Sequence, residues 1–483
     1  MRFITFLFVL MALVPAAHAG TTPDLVLEGT VRPSDLHHYI ERPFAVPPGV
    51  TRLTVEFARD GASERTVIDM GILDPERLRG WSGGDKSGFT LSETDATPGY
   101  LPGPVVKGRW RLLMGVPNIR AGVTTHYTAK IYFGRGDVPP LREGAGWYRG
   151  DLHMHTANSD GKCASRAGVR VQCPVFLTLD AADRRGLDFI VVTDHNTTSH
   201  ADALKALQPY FDRTLLIPGR ELTTFEGHAN ALGSSAFIDF RLDGHHVRDA
   251  DALIAATHRA GALFSINHPA IPSGEACMGC GWTARIADWT KVDAVEVVNG
   301  GTMRATGAAD GSLQGFAFWQ ALLDKGLHPT AVGGSDNHDA LRPLEETGSV
   351  GSPTTVVHAA SLSEPAILDG IRAGHVFVDV TGSRDRHLEC ELAGAAMGDH
   401  VKLAPGQGAT LHLHVTGVPG GGIELVHDAG LKAPAAGPGP LQADDTRSFE
   451  IAADGQRHWL YARVLDGAGH LVLVGNPIYL DPE

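Results

Sequence analysis

Short apolar runs in the middle of the chain each lead into residues of the types that bind metal ions. The runs cover residues 188–193, 215–218, 263–266, 292–298 and 330–332. Their length, their β-branched residues and the Gly, Asn or Pro that bounds them predict buried strands. Helical patterns separate several of these strands, at residues 176–185, 201–213, 247–259, 316–325 and 365–372. Strands that alternate with helices predict a parallel sheet, whose strand C-termini meet on one face.

Nine potential metal ligands lie at or just after the ends of these strands. They are His153, His155, Asp160, His195, Glu221, His228, His268, Asp336 and His338. One ion cannot use so many ligands, so the set predicts a cluster of two or three divalent ions. Mixed imidazole and carboxylate donors accept Zn, Mn or Fe, and the sequence does not decide among them. An isolated histidine is usually structural, but a whole set that follows strands within one segment indicates a metal site.

The order of these motifs resembles the PHP (polymerase and histidinol phosphatase) superfamily. The chain has His-Met-His at 153–155, then Asp-His, Glu, His and Asn-His-Pro, and finally Asp-Asn-His at 336–338. Two longer strings are similar to the secreted CehA/McbA-type branch, whose name comes from carbaryl hydrolysis. They are Asp-Leu-His-Met-His-Thr-Ala-Asn-Ser-Asp-Gly from position 151 and Pro-Gly-Arg-Glu-Leu-Thr from position 218. The resemblance covers residues 147–380 and implies a distorted seven-stranded (β/α) barrel within a multidomain α/β protein.

The resemblance also implies how the ligands divide among the ions. The first ion would be held by His153, His155, Glu221 and Asp336. The second would share Glu221 with the first and add His228 and His268. The third would be held by Asp160, His195 and His338. This third position often varies within the family, which leaves open whether its ion is permanent.

Divalent ions in such a cluster supply hydrolytic chemistry, because they lower the pKa of the water they bind to near 7. The resulting hydroxide could attack a phosphate ester, whose transition state spreads charge over several oxygens. We therefore expect a phosphoesterase that acts on a small ester. The expected catalytic residues are the ligands Glu221, Asp336 and His228, with Arg220 and Asn299 as substrate contacts.

Two other functions fit the same residues. A carboxyl- or carbamate-ester hydrolase needs only one polarised carbonyl oxygen, for which two ions would suffice. A non-catalytic, metal-holding protein would bind a polymer or surface partner through its flanking β regions, although decay to such a protein tends to break a ligand set. In the N-terminal region Trp81 and Tyr100 could stack on glycans, but loop aromatics more often pack within the protein.

The chain of 483 residues is too long for one ordinary core, and its flanks follow a β pattern. Residues 20–140 alternate apolar and polar side chains between Pro- and Gly-rich loops, which predicts a sandwich or jelly roll. We expect a linker at 134–150 and the barrel at 147–380. Residues 383–483 alternate again, and their ending resembles the last strand of an immunoglobulin-like β domain.

The first 19 residues have the pattern of a secretory signal peptide. Arg2 precedes an apolar stretch at 3–14, and Ala-His-Ala at 17–19 is a small-residue cleavage site. That stretch is too short to span a bilayer, and no later one reaches the roughly 18 apolar residues that a span needs. We therefore expect an exported chain, periplasmic rather than extracellular.

Export favours disulfide bonds. The simplest pairing joins Cys163 to Cys173 and Cys277 to Cys280, and it leaves Cys390 buried and inert. A zinc site made of the four paired cysteines is the alternative. The formal net charge is −14 and there is no Lys/Arg tract, which argues against binding to a nucleic-acid backbone.

Overall fold

The computed structural model of the chain describes residues 22–93, 96–134, 140–275 and 277–483. The chain divides into two compact units between residues 139 and 140, and each is described by itself. The expected signal peptide at 1–19 lies outside the described residues, as do residues 135–139 of the expected linker. From residue 142 onward the linker prediction is wrong, because Arg142–Asp151 form a strand whose backbone pairs with strands on both sides.

The N-terminal unit consists of strands. They are β1 (Leu25–Val31), β2 (Tyr39–Val46), β3 (Arg52–Arg59), β4 (Val67–Leu73), β5 (Leu78–Ser82), β6 (Gly88–Ser92), β7 (Gly108–Asn118) and β8 (Thr125–Phe133). They form two antiparallel four-stranded sheets, in the orders β1-β8-β3-β6 and β2-β7-β4-β5. Leu53 and Val55 of one sheet and Trp110 and Leu112 of the other belong to one apolar core. The period-2 alternation along the strands produces this core, because successive side chains face opposite ways.

Tyr100 is part of this core. Only 5% of its surface is exposed, and its ring stacks on that of Phe89 with 4.2 Å between the ring centroids. Its hydroxyl shares a hydrogen bond of 2.9 Å with Ser82 Oγ. The structure therefore contradicts the idea that Tyr100 stacks on a glycan, because burial leaves no face for a sugar. Trp81 is half-buried and contacts the Tyr39 ring edge to face.

The second unit combines strands with helices. Its strands up to residue 379 are β9 (Arg142–Asp151), β10 (Lys162–Ala164), β11 (Arg170–Gln172), β12 (Phe189–Val192), β13 (Leu215–Thr223), β14 (His228–Leu232), β15 (Leu263–Ile266), β16 (Ala294–Asn299), β17 (Thr330–Gly334), β18 (Thr354–Leu362) and β19 (Val376–Asp379). The helices are α1 (Val175–Arg185), α2 (Ala201–Leu207), α3 (Ala250–Arg259), α4 (Gly300–Thr306), α5 (Phe316–Leu323) and α6 (Glu364–Arg372). All five expected helices occur. Helix α4 was not expected, because its Gly-Gly start carries no helix signal.

Seven neighbouring strands of this unit form one wall of the sheet. Their order is β17-β16-β15-β14-β13-β12-β9. Six of them are parallel, whereas β14 pairs antiparallel with both of its neighbours. Beyond the ends of β9 and β17, Met154 and Asn337 form a single parallel bridge. A closed barrel is therefore not formed among the described residues, because this one bridge stands where a ladder between the two outer strands would be needed.

Each of the seven strands contributes to one buried cluster together with helix α6. The members in or next to the strands include Tyr148, Leu152, Phe189, Val191, Ile217, Leu232, Leu263, Ala294 and Val332, and α6 adds Ile367, Leu368 and Ile371. In β12, Phe189 and Val191 face this cluster, whereas Ile190 and Val192 pack with α1 and α2. A strand that is buried on both faces has an unbroken apolar sequence, and Phe-Ile-Val-Val is such a run.

The same sheet continues into the C-terminal region. The remaining strands are β20 (His387–Leu392), β21 (Ala395–Ala396), β22 (His400–Leu403), β23 (Gly408–Thr416), β24 (Gly422–His427), β25 (Asp444–Ala452), β26 (His458–Leu465), β27 (Leu471–Gly475) and β28 (Ile478–Pro482). From β9 the order runs β18-β19-β27-β26-β28-β22, with β24 also paired to β26. A second sheet has the order β21-β20-β23-β25. The fold is thus multidomain and strand-rich α/β, while a separate immunoglobulin-like domain at 383–483 stays a prediction.

Both expected disulfides are present. They join Cys163 to Cys173 and Cys277 to Cys280. Cys390 is free and buried, and burial raises the pKa of its thiol to about 12, which agrees with an inert side chain. Within the described ranges, no helix is both long and apolar enough to cross a membrane.

Asn476 joins the seven-stranded wall to the C-terminal strands. It is buried, its Oδ1 accepts a hydrogen bond from the Ala331 backbone N–H at 2.7 Å, and its Nδ2 donates to the carbonyl oxygens of Ala331 and Val376, both at 2.9 Å. One side chain therefore satisfies backbone groups of β17 and β19 that do not pair with each other.

We expect Asn476→Ala to lower the free energy of unfolding by about 3 kcal/mol, because it leaves buried backbone groups without partners. Urea unfolding followed by tryptophan fluorescence measures the loss. The exposed Gln456→Ala is the matched control and should change stability by less than about 0.5 kcal/mol. Equal stability of the two variants would contradict this role for Asn476.

Candidate metal centre

The structure brings all nine candidate ligands together at one rim of the seven-stranded wall. Their donor atoms form four overlapping groups, within each of which the atoms lie no more than 4.8 Å apart. The groups are His153/His155/Glu221, His153/His268/Asp336, Glu221/His228/His268 and His155/Asp160/His195/His338. Residues that are far apart in sequence meet here because the parallel strands all end on this side of the sheet.

His228 reaches the rim from the opposite direction. It is the first residue of β14, so the expectation that every ligand lies at the C-terminal end of a strand is wrong for this one. Since β14 runs antiparallel to β13 and β15, its beginning lies at the same edge as their ligand-bearing ends.

Glu221 lies within β13, and the alternation of that strand directs its side chain into the cluster. Ile217, which faces the buried cluster beneath the rim, is four residues earlier on the same face. The carboxylate is almost fully buried.

The same alternation turns the side chain of Arg220 to the other face of β13. Its buried guanidinium donates to the carbonyl oxygens of Ala236 and Ile238 and lies 5.9 Å from the Phe237 ring centroid. Burial lowers the pKa of Arg220 to about 10. The structure does not bring Arg220 to the cluster, so it does not support the expected contact with substrate.

The central set of the cluster consists of His153, His155, Glu221 and Asp336; the first three lie in one group of donors, and Asp336 lies with His153 in another. His153 Nε2 lies 3.3 Å from Glu221 Oε1 and 3.5 Å from Asp336 Oδ1. His155 Nε2 lies 3.4 Å from Glu221 Oε2 and 3.3 Å from Asp336 Oδ1. Bonds of about 2.1 Å to a tetrahedral ion would separate its donors by about 3.4 Å. Both imidazole nitrogens are buried and make no hydrogen bond within the described residues, so these donors fit a divalent ion.

Glu221 also faces a second set of donors. Its Oε1 lies 3.3 Å from His228 Nδ1 and 3.4 Å from His268 Nε2. A carboxylate in this position could be shared by two ions.

Two ligands of the cluster, His268 and Asp336, have positive φ angles of 26° and 49°. Such backbone angles are uncommon outside glycine and persist where the surroundings hold them.

A third set of donors lies on the solvent side of the rim. Asp160 Oδ1 is 3.7 Å from His195 Nε2 and 3.3 Å from His338 Nε2. The side chain of Asp160 is 54% exposed, whereas that of Glu221 is 1% exposed. An ion held by this set would be the most accessible of the three to substrate and to chelators.

The charges of the cluster keep its carboxylates ionised. Burial alone would raise the pKa of Glu221 and of Asp336, but the neighbouring imidazoles, above all His153, bring both pKa values well below the ordinary range. For His153 itself, burial opposes the charge, yet the surrounding carboxylates raise its pKa well above that of a free imidazole. Burial, together with two nearby imidazoles, lowers the pKa of His155 to about 4. Anionic and neutral donors are therefore both present in the cluster.

Glu296, which is not among the residues predicted for the site, supports the cluster from behind. Its Oε1 accepts a hydrogen bond from His153 Nδ1 at 3.0 Å, and its Oε2 accepts from the His268 backbone N–H at 2.9 Å. A carboxylate behind a ligating imidazole fixes the orientation and tautomer of the ring. A sequence signal for Glu296 exists, because a carboxylate in the middle of an apolar strand is costly to bury unless it is paired.

Two asparagines complete this support. Asn299 Nδ2 lies 3.0 Å from Glu296 Oε2 and 3.3 Å from Asp336 Oδ2, while its Oδ1 caps helix α4. Asn267, which was not singled out, donates to Glu221 Oε1 at 2.9 Å. Asn299 is therefore occupied in orienting Asp336, which leaves its expected contact with substrate unsupported.

No protein-family model matches the chain, and no curated protein matches it. Among solved structures, the chain is similar to a two-domain protein from Bacteroides vulgatus that contains a predicted PHP-like metal-dependent phosphoesterase. The two are 20% identical, the match covers 71% of this chain and 97% of that chain, and the TM-score is 0.38. A TM-score this low gives no support to any particular function for this chain.

We expect Glu296→Gln to raise the dissociation constant for Zn²⁺ or Mn²⁺ by about 10- to 100-fold. The amide keeps the shape of the side chain, but it presents a donor where only acceptors fit. Competition with a chromophoric chelator measures the change, and circular dichroism checks the fold. Glu389→Gln is the matched control, because Glu389 instead accepts a hydrogen bond from Trp147. An unchanged dissociation constant for Glu296→Gln would exclude a supporting role for this carboxylate.

Proposed function

We propose that the chain is a metal-dependent hydrolase that cleaves phosphate esters with two or three divalent ions. The observation that carries this proposal is the convergence of nine donors on one rim, with the buried Glu221 carboxylate between two of the sets. Zn, Mn and Fe are all candidates, because each accepts mixed imidazole and carboxylate donors.

Ions bound here would supply a nucleophile from water near neutral pH and draw electrons from the ester. The residues of the chain bind and orient these groups. Glu221 ties the central set to the His228/His268 set, and Asp336 faces both His153 and His155. Glu296 and Asn299 hold that geometry from behind, so substrate would meet a rim whose donors are already positioned.

The charge of the rim favours an anionic substrate. Three divalent ions held by six neutral imidazoles and three carboxylates would leave three positive charges on the cluster. Arg220 is turned away, so this positive charge is what a phosphate would meet. With two ions the excess falls to a single charge, and a neutral ester becomes the better match. The exposed set of Asp160, His195 and His338 therefore decides between the two substrate classes.

A carboxyl- or carbamate-ester hydrolase is the second candidate. It is favoured by Phe225, which lies in the loop between Glu221 and His228 and is 87% exposed. An apolar ring on a rim loop would suit the aryl or alkyl group of a neutral ester. Turnover of 1-naphthyl esters without turnover of phosphate esters would make this the function.

The finer classification belongs to the same proposal. The chain would be a member of the PHP superfamily, in its CehA/McbA-type branch, with a distorted barrel of seven strands. An N-terminal sandwich and an immunoglobulin-like C-terminal domain would flank that barrel. Export to the periplasm is supported by the two disulfides, because such bonds persist in oxidising compartments.

We expect Glu221→Ala and His153→Ala each to lower kcat/KM on the active ester by about a thousandfold or more, because each removes a donor from the central set. p-Nitrophenyl phosphate, its bis ester and 1-naphthyl acetate form the test panel, assayed before and after chelation. Glu389→Gln should keep full activity. Absence of turnover on all three esters with metal bound would contradict a hydrolase of either class.

We expect Asp160→Ala to remove one ion per chain where three are bound, and to lower the rate on a phosphate monoester more than that on a neutral ester. The reason is the loss of positive charge at the exposed set. Metal content by mass spectrometry and the two rates measure these effects, with the exposed Asp212→Ala as control. An equal loss of rate on both esters would show that this set does not distinguish an anionic from a neutral substrate.

A further inference from the structure

The four-residue turn Cys277–Cys280 lies directly against the cluster, and its disulfide closes it. The turn is also tied to the preceding segment by a reciprocal pair of backbone hydrogen bonds between Cys277 and Gly274, each of 3.1 Å. Gly279 has a φ of 76°, and a Cβ there would stand 2.1 Å from the Thr224 carbonyl oxygen. The turn is therefore packed against the loop that follows Glu221, with no space for a larger residue at Gly279.

Two carbonyl oxygens of this turn face two imidazoles of the cluster. The Met278 oxygen lies 3.2 Å from His228 Nε2, and the Cys280 oxygen lies 3.3 Å from His268 Nδ1. The other ring nitrogens, His228 Nδ1 and His268 Nε2, lie 3.3 and 3.4 Å from Glu221 Oε1. Each ring is thus held between Glu221 and the turn.

A carbonyl oxygen can only accept a hydrogen bond, so each ring nitrogen that faces the turn carries the proton. The nitrogen that faces Glu221 is then left with its lone pair free to bind an ion. His228 would bind through Nδ1 and His268 through Nε2, so the turn selects opposite tautomers for the two rings.

We propose that the disulfide-closed turn Cys277–Cys280 is the positioning element for the ion that Glu221, His228 and His268 would hold. This inference rests on the proposed metal centre. The covalent link adds to the anchorage of the turn, in which Gly279 and Cys280 are buried but the Met278 side chain is 74% exposed. Closing so short a loop restricts the unfolded chain only slightly, so the bond acts mainly on local geometry.

The test compares Cys277→Ser/Cys280→Ser with wild type and with Met278→Ala, which keeps both the disulfide and the carbonyl oxygens. We expect the double variant to bind its weakest buried ion at least tenfold less tightly, measured by chelator competition with Zn²⁺, and Met278→Ala to be unchanged. In ¹⁵N-histidine-labelled protein, the ring N–H signals of His228 and His268, assigned with His→Gln variants, should exchange faster with solvent only in the double variant.

The outcomes separate the two proposals. Full metal content and unchanged affinity in the double variant would overturn the role of the turn and leave the metal centre intact. The same holds if the ring N–H signals stay protected in that variant. Failure of the wild type to bind Zn²⁺ at all would overturn the metal centre, and this inference with it. A double variant that does not fold would be replaced by Cys277→Ala/Cys280→Ala, which tests the same two hydrogen bonds.

Discussion

The buried carboxylate of Glu221 is the group around which the metal-binding rim of the second unit is organised. Nitrogen atoms of five imidazoles, from His153, His155, His195, His228 and His268, lie between 2.9 and 3.4 Å from its oxygens. A carboxylate without partners in this position would cost several kcal/mol. The imidazoles come from four different strand ends. Their contacts with the one carboxylate therefore hold these strand ends in fixed relative positions.

The alternation of side chains along the strands places these groups at the rim. In β13 the side chains on one face build the apolar cluster with α6 and then, at the rim, present Glu221. The same rule applies in β16, where Ala294 faces the cluster and Glu296 stands behind His153. The lower part of the wall is thus filled with apolar side chains and its upper part with donors. An apolar floor beneath a polar rim strengthens the electrostatic interactions at that rim.

Much of this arrangement could be predicted from the sequence, because it depends on local patterns. The strand at 263–266 was predicted with the bounds that the structure gives it, and the ligand-bearing ends came together as the parallel-sheet rule requires. Helix α4 was missed for a local reason, the Gly-Gly pair at its start, whereas other failures depend on pairing between distant segments. The direction of β14, the position of Arg220 and the role of Glu296 follow from which strands are neighbours and which face is inside. The residues after 380 look like a separate β region in sequence, yet three-dimensional pairing adds several of their strands to the main sheet.

Because one sheet runs from the ligand-bearing strands into the C-terminal region, truncating the chain there affects the sheet as a whole. Strand β19 has β18 on one side and β27 on the other, so both of its hydrogen-bonding edges are used. A fragment that ended near residue 382 would retain the whole ligand set but expose one edge of β19. Open edges of this kind recruit other chains and lead to aggregation. The C-terminal strands therefore cover the edge of the part of the sheet that bears the metal ligands. A truncated chain that keeps every ligand would still be insoluble.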